Sequence, residues 1–184
     1  MATQQQPKYW TYDDLFTLPD DGKRYEIIEG ELYEMPSANI THATIIMNLI
    51  LQVFGPLIGV LGGRLFTAPL DVFMLDANPV QPDIFVLLPE QFGLRSKRGV
   101  EGPPALVVEV LSPSTRATDL TLKRHVFEQA GVASYWLFDP DVPSLTVLEL
   151  ADASFREVAV VTGDEAYDAT LPFPIRVVPA LLVR

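Results

Sequence analysis

Apolar residues recur along this chain with two different periods, and the change from one to the other marks its elements. RYEII and ELYEM, residues 24–28 and 31–35, are short β-prone runs. The Glu29-Gly30 pair between them can supply the positive φ of a tight turn, which predicts a hairpin. Residues 41–54 follow a helical period. Thr44, Asn48 and Gln52 stand at i, i+4 and i+8 as one narrow polar stripe on an otherwise apolar surface, which predicts a mostly buried helix. Arg64 to Leu75 and Val80 to Leu88 read as two strands joined by the turn-rich Asp76-Ala77-Asn78-Pro79. ALVVEVL, residues 105–111, is apolar on both faces, as a central strand covered on both sides must be. SPST leads into a helix over about 118–130, stopped by Gly131. ASYWLF begins another strand, and β runs near 144–150 and 155–161 complete the pattern. A short helix over 11–18, capped by Thr11 and ended before Pro19, precedes the hairpin. The order predicts an α/β (α+β) fold: a mixed β-sheet flanked by helices, with an N-terminal hairpin and extra strands at the C-terminal end.

Charges that interrupt this pattern carry the chemistry. Alternation puts Glu109 on the same strand face as Val107 and Leu111, inside a strand buried on both sides. A buried carboxylate costs several kcal/mol unless it is paired, protonated or bound to metal. Asp83 shares the face of Phe85 and Leu87 directly after Pro82, and Asp71 interrupts LDVFML in the same way. Two or three carboxylates converging from neighbouring strands make the oxygen-only site that hard cations prefer. The 118–130 helix adds a complement. With Leu122 at zero, Val126, Ala130, Phe127 and Leu120 fall between about 40° and about 160° and define the buried face. Asp119 at about 60° and Lys123 at about 100° lie within it, so Lys123 is aimed at the sheet, where its ammonium can neutralise the carboxylates. On the 41–54 helix, His42 falls between Leu49 and Val53 and also faces inward, able to meet a substrate phosphate or a metal-bound water. Glu26, Glu29 and Glu31 read as hairpin and solvent-face charges.

Composition narrows the field. A chain of 184 residues suits one domain, assigned to 9–184 after a disordered start at 1–8. The polar opening MATQQQP is unlike a signal peptide, and Asn48, Gln52, Gly55, Pro56 and Gly59 interrupt the longest apolar run. A cytoplasmic location away from any membrane is expected. The absence of cysteine excludes thiolate metal sites and Cys nucleophiles. A formal net charge of −11 opposes indiscriminate polyanion binding. Within residues 91–125, however, six basic residues face three acidic ones. Arg95, Lys97, Arg98, Arg116 and Arg124 are the candidate nucleic-acid contacts there. The 41–54 helix carries more apolar surface than one sheet face can cover, which suggests a homodimer.

RYEIIEGELYEMPS, QPDIFVL, ALVVEVLSPST, the Lys123-Arg124 helix and AGVASYWLFDP, taken in order, resemble the PD-(D/E)XK nuclease superfamily and, more closely, its Uma-two family of restriction endonucleases. The resemblance covers most of the chain. It implies that Asp83, Glu109 and the backbone carbonyl of Val110 hold Mg²⁺ or Mn²⁺. It further implies hydrolysis of nucleic-acid phosphodiesters, of DNA above all, by metal-bound water with no covalent intermediate. The superfamily pattern places a lysine at position 111, where this chain has Leu111; the variant in which the lysine moves to the following helix fits Lys123. Phe127 stands where the family usually carries tyrosine. Two other readings fit the same residues: a nuclease fold without catalysis that serves as a nucleic-acid or protein interaction module, and a metal-dependent phosphoesterase for small phosphates.

Overall fold

The structure is a computed structural model that describes residues 8–75 and 79–184. The MATQQQP start and the Asp76–Asn78 part of the turn-rich link lie outside the described residues. Lys8, assigned with the disordered start, is instead ion-paired to Asp14 at 3.0 Å. In chain order the elements are helix α1 (Tyr12–Leu15), strands β1 (Arg24–Ile28) and β2 (Glu31–Met35), and helix α2 (Ile40–Ile58). Next come strands β3 (Arg64–Thr67), β4 (Val72–Phe73), β5 (Pro79–Val80), β6 (Ile84–Leu87), β7 (Val100–Glu101) and β8 (Leu106–Val110). Helix α3 covers residues 116–130. It is followed by β9 (Ser134–Asp139), β10 (Ser144–Ala151), β11 (Ser154–Thr162), β12 (Tyr167–Ala169), β13 (Ile175–Val177) and the short helix α4 (Pro179–Leu182).

The core is a six-stranded mixed sheet in the order β11-β10-β9-β8-β6-β3. Strands β8 and β9 run parallel, joined by α3, and the other neighbours are antiparallel. Alternation in β8 builds two apolar layers. Leu106, Val108 and Val110 face Ile45, Leu49 and Phe54 of α2, together with Trp136 and Phe138. Val107 and Leu111 face Val126 and Phe127 of α3, with Phe85, Tyr135 and Leu137. Every residue of β8 is buried, the outcome the two-sided apolar run predicts. Each large side chain placed there contributes about 1.5–3 kcal/mol of transfer free energy.

The hairpin forms as predicted, with Glu29 at φ 52° and Gly30 at φ 80° making its two-residue turn. Gly30 also lies against the Tyr9 ring, which an added Cβ would overlap. Gly131, at φ 86°, closes α3 in the left-handed conformation.

Other expectations are corrected. The two strands read over 64–75 and 80–88 each break in two, because Pro69 and Pro82 lack the N–H that a continuous ladder needs. The resulting piece β4 pairs with β5 on one side and β7 on the other in a separate three-stranded sheet. Helix α2 is longer than 41–54 and is not mostly buried: Ile40, Met47 and Leu51 are 84%, 51% and 64% exposed. By length and mean hydropathy α2 would suit a membrane span, yet its other face is the layer that covers the sheet. Leu120, assigned to the buried face of α3, is 40% exposed. A π-helical turn over Asp119–Lys123 changes the phase of that helix after Leu120. The C-terminal part adds β12, β13 and α4, which complete the α2 layer with Phe173, Ile175 and Leu182.

Candidate active site

The antiparallel register pairs Ile84 of β6 with Val108 of β8. One step further it sets Asp83 opposite Glu109. Backbone and carboxylates lock this step reciprocally: the Asp83 N–H donates to Glu109 Oε2 at 3.3 Å, and the Val110 N–H donates to Asp83 Oδ2 at 2.8 Å. Glu109 is therefore held within the central sheet, and Asp83 at the residue that leads into β6. Asp83 Oδ2 is also 2.9 Å from His42 Nε2, at the first turn of α2. Asn39 caps that turn by accepting from the His42 backbone N–H. These contacts leave Asp83 Oδ1 without a hydrogen-bond partner among the described residues.

Lys123 approaches from the opposite layer. It is 1% exposed, and its Nζ lies 2.9 Å from Glu109 Oε1, 3.2 Å from Glu26 Oε2 and 3.6 Å from Asp119 Oδ1. Glu26, which its hairpin position predicts to be a solvent-face charge, is instead buried, at 1% exposed. The hairpin packs β1 against β5, so the β1 face bearing Ile28 turns inward among Val72 and Val80 and takes Glu26 with it. Its Oε1 also accepts from the Gln81 N–H at 3.1 Å. The signal was present, since Glu26 shares a strand face with an apolar residue as Glu109 does, but no local pattern says what covers a hairpin.

The electrostatics follow from burial opposed by pairing. Burial pushes the Glu109 carboxyl well above its ordinary value, against the pull of Lys123. Burial likewise raises Glu26 and Asp119. For Lys123, burial acts downward, but Glu109, Glu26 and Asp119 together hold the ammonium well above its ordinary range. Asp83 goes the other way: burial raises it, but the His42 and Val110 hydrogen bonds and the nearby charge of Lys123 bring it below its ordinary value. The site thus combines one readily ionised carboxylate with three that resist ionisation.

These groups floor an open cleft of about 620 Å³. One wall is formed by Arg24 and the segment from Met35 to Asn39, the other by Ser112, Pro113, Ser114 and Thr115. Ser112 Oγ organises the second wall by accepting from the Thr115 N–H at 3.3 Å and contacting Thr115 Oγ1 at 2.9 Å.

Asp83, Glu109, Lys123, His42 and Asp119 all line this cleft, with the peptide of Val110 bordering it through the bond to Asp83. Asp71 does not line it; its Oδ1 accepts from Gln81 Nε2 at 2.9 Å, one residue removed from Glu26. The basic candidates lie elsewhere. Arg95 stacks over Phe92, and Arg98 pairs with Glu101 and covers Phe73. Arg116 is tied to Asp139 at 2.5 Å. Lys97 and Arg124 are exposed. Leu111 and Phe127, the two departures from the family pattern, are both buried in the α3 layer, with the Phe127 ring 5.0 Å from that of Tyr135.

The donor set suits a hard divalent cation. It is all oxygen, it includes a carboxylate oxygen of Asp83 left unpartnered, and Glu26 Oε2 and Asp119 Oδ1 are buried without hydrogen bonds. Among the described residues no three His, Asp or Glu side chains alone form a cation cage, so a set built on two carboxylates would need backbone oxygen or substrate to complete it.

A mixed sheet that presents an aspartate and a glutamate opposite each other on adjacent strands, with a lysine delivered from the next helix, defines a restriction-endonuclease-like fold. A crystal structure of a nuclease of the DUF820 group from Anabaena variabilis, itself described as putative, has the same fold. The two superpose with a TM-score of 0.67 at 22% identity, over 93% of this chain and 96% of that one. No curated protein matches the sequence. The chain belongs to the Uma2 family, described as "putative restriction endonuclease", whose model matches residues 12–181.

Proposed function

We propose that this protein is a metal-dependent endonuclease that hydrolyses phosphodiester bonds of nucleic acid, DNA in the first place. The observation that carries the reading is the unpartnered Asp83 oxygen beside Glu109 at the floor of an open cleft. Asp83 and Glu109, with the Val110 carbonyl, would hold Mg²⁺ or Mn²⁺, which supplies an activated water and neutralises phosphate charge. His42 positions Asp83 through their hydrogen bond and keeps its carboxylate ionised. Lys123 holds Glu109 in place and offsets its charge until the ion is bound. Asp119 and Glu26 fix the ammonium from the other sides, acting through Lys123.

Supercoiled plasmid DNA tests the reading. The wild-type protein should nick it with Mg²⁺ or Mn²⁺ and not with EDTA, and Glu109→Gln should slow nicking by about 100-fold or more. Equal nicking by Glu109→Gln, or none by the wild type, would overturn the assignment.

The net charge of −11 favours a second reading, a phosphoesterase for nucleotides or other small phosphates at the same residues. Cleavage of mononucleotides in preference to plasmid would establish it. Metal binding without cleavage of either would leave an interaction module. With the nuclease reading we place the protein in the cytoplasm, acting as a homodimer through the exposed stripe of α2.

A further inference from the structure

We infer that Arg24 is the phosphate anchor of the cleft, binding a substrate phosphate other than the one cleaved. The inference rests on the nuclease reading above and adds to it a subsite.

The floor of the cleft is acidic, and Lys123 there is buried and engaged by three carboxylates. A polyanion approaching Asp83 therefore needs a positive group at the wall. The other cations nearest the walls are also engaged: Lys23 by Glu34 at 2.7 Å and Arg116 by Asp139. Arg24 lines the cleft, is half-buried, and makes no ion pair or side-chain hydrogen bond among the described residues. Its strand neighbour on the same face, Glu26, cannot serve as its partner, because Glu26 is turned to Lys123 and the Gln81 N–H. Across the hairpin Arg24 stands opposite Met35, which offers no charge.

A guanidinium held partly out of water without an acceptor is costly, and a phosphate diester is the acceptor that its planar fork fits with two parallel bonds. The hairpin that brings Glu26 to Lys123 thereby carries Arg24 at a fixed offset along the same face. One strand serves both the floor and the wall.

The test is binding of a fluorescein-labelled DNA duplex, followed by anisotropy over a range of salt with Ca²⁺ as the divalent ion, for the wild type, Arg24→Gln and Arg24→Lys. Arg24→Gln should weaken binding about 10-fold and reduce the slope of log affinity against log salt by about one. Arg24→Lys should keep the wild-type slope and recover part of the affinity, which a purely structural role would not give. Wild-type affinity and slope in Arg24→Gln would overturn the anchor while leaving the nuclease reading intact. A wild-type protein that binds no duplex at any salt would overturn both.

Discussion

At the scale of single residues, the centre of the molecule is an ammonium among three buried carboxyls. Lys123→Met removes the cation and leaves Glu26, Glu109 and Asp119 uncompensated, which should cost about 3–5 kcal/mol of stability. The pH dependence has a definite sign. All three carboxyls have folded-state values raised above their ordinary 4.5, 4.5 and 3.8. They favour the folded state below those values, and that contribution is lost as pH rises through the folded ones. Lys123, raised above 10.5, contributes throughout the range below that value and offsets the loss. Urea melts should therefore separate the wild type and Lys123→Met least near about pH 5 and most near about pH 8; a gap that widens toward acid would refute this account of the cluster. Glu109 and Lys123 were legible because each breaks an apolar face that its own element defines. Glu26 was not, since its burial depends on a tertiary contact between the hairpin and α3.

Among the elements, the two-sided strand β8, the hairpin and the glycine-terminated α3 were legible because local chemistry specifies each one. The strands on either side of the Asp76–Asn78 link were not, although Pro69 and Pro82 carried the warning. Long β-prone stretches look continuous until the missing donors are counted. Helix α2 failed differently. Its sequence is apolar nearly all round, which normally signals full burial, but one sheet face covers only the side bearing Ile45, Leu49 and Phe54. Ile40, Met47 and Leu51, spaced at seven and four residues, form an exposed stripe on a helix that contains no Asp, Glu, Lys or Arg. A second copy can meet such a stripe without like-charge repulsion, despite the overall acidity. Light scattering should give twice the chain mass for the wild type and the single mass for Met47→Glu. A monomeric wild type at high concentration would remove the dimer.

For the molecule as a whole, the net charge of −11 and the acidic floor of the cleft point the same way. Such a surface repels a polyanion, so on the proposed function the divalent ion would also offset the charge that substrate meets at the cleft. In the basic loop at 95–98, the sequence's most conspicuous positive feature, Arg95 and Arg98 are stacked or paired away from the cleft; a charge run shows where charge is abundant in sequence, not where the fold places it. The central claim is that Asp83 and Glu109 share a divalent ion. Anomalous scattering from a crystal soaked in Mn²⁺ tests it most directly. The account predicts a peak at about 2.2 Å from oxygens of both carboxylates, lost in Asp83→Asn. A crystal with no peak there, or with manganese bound only elsewhere, would contradict it.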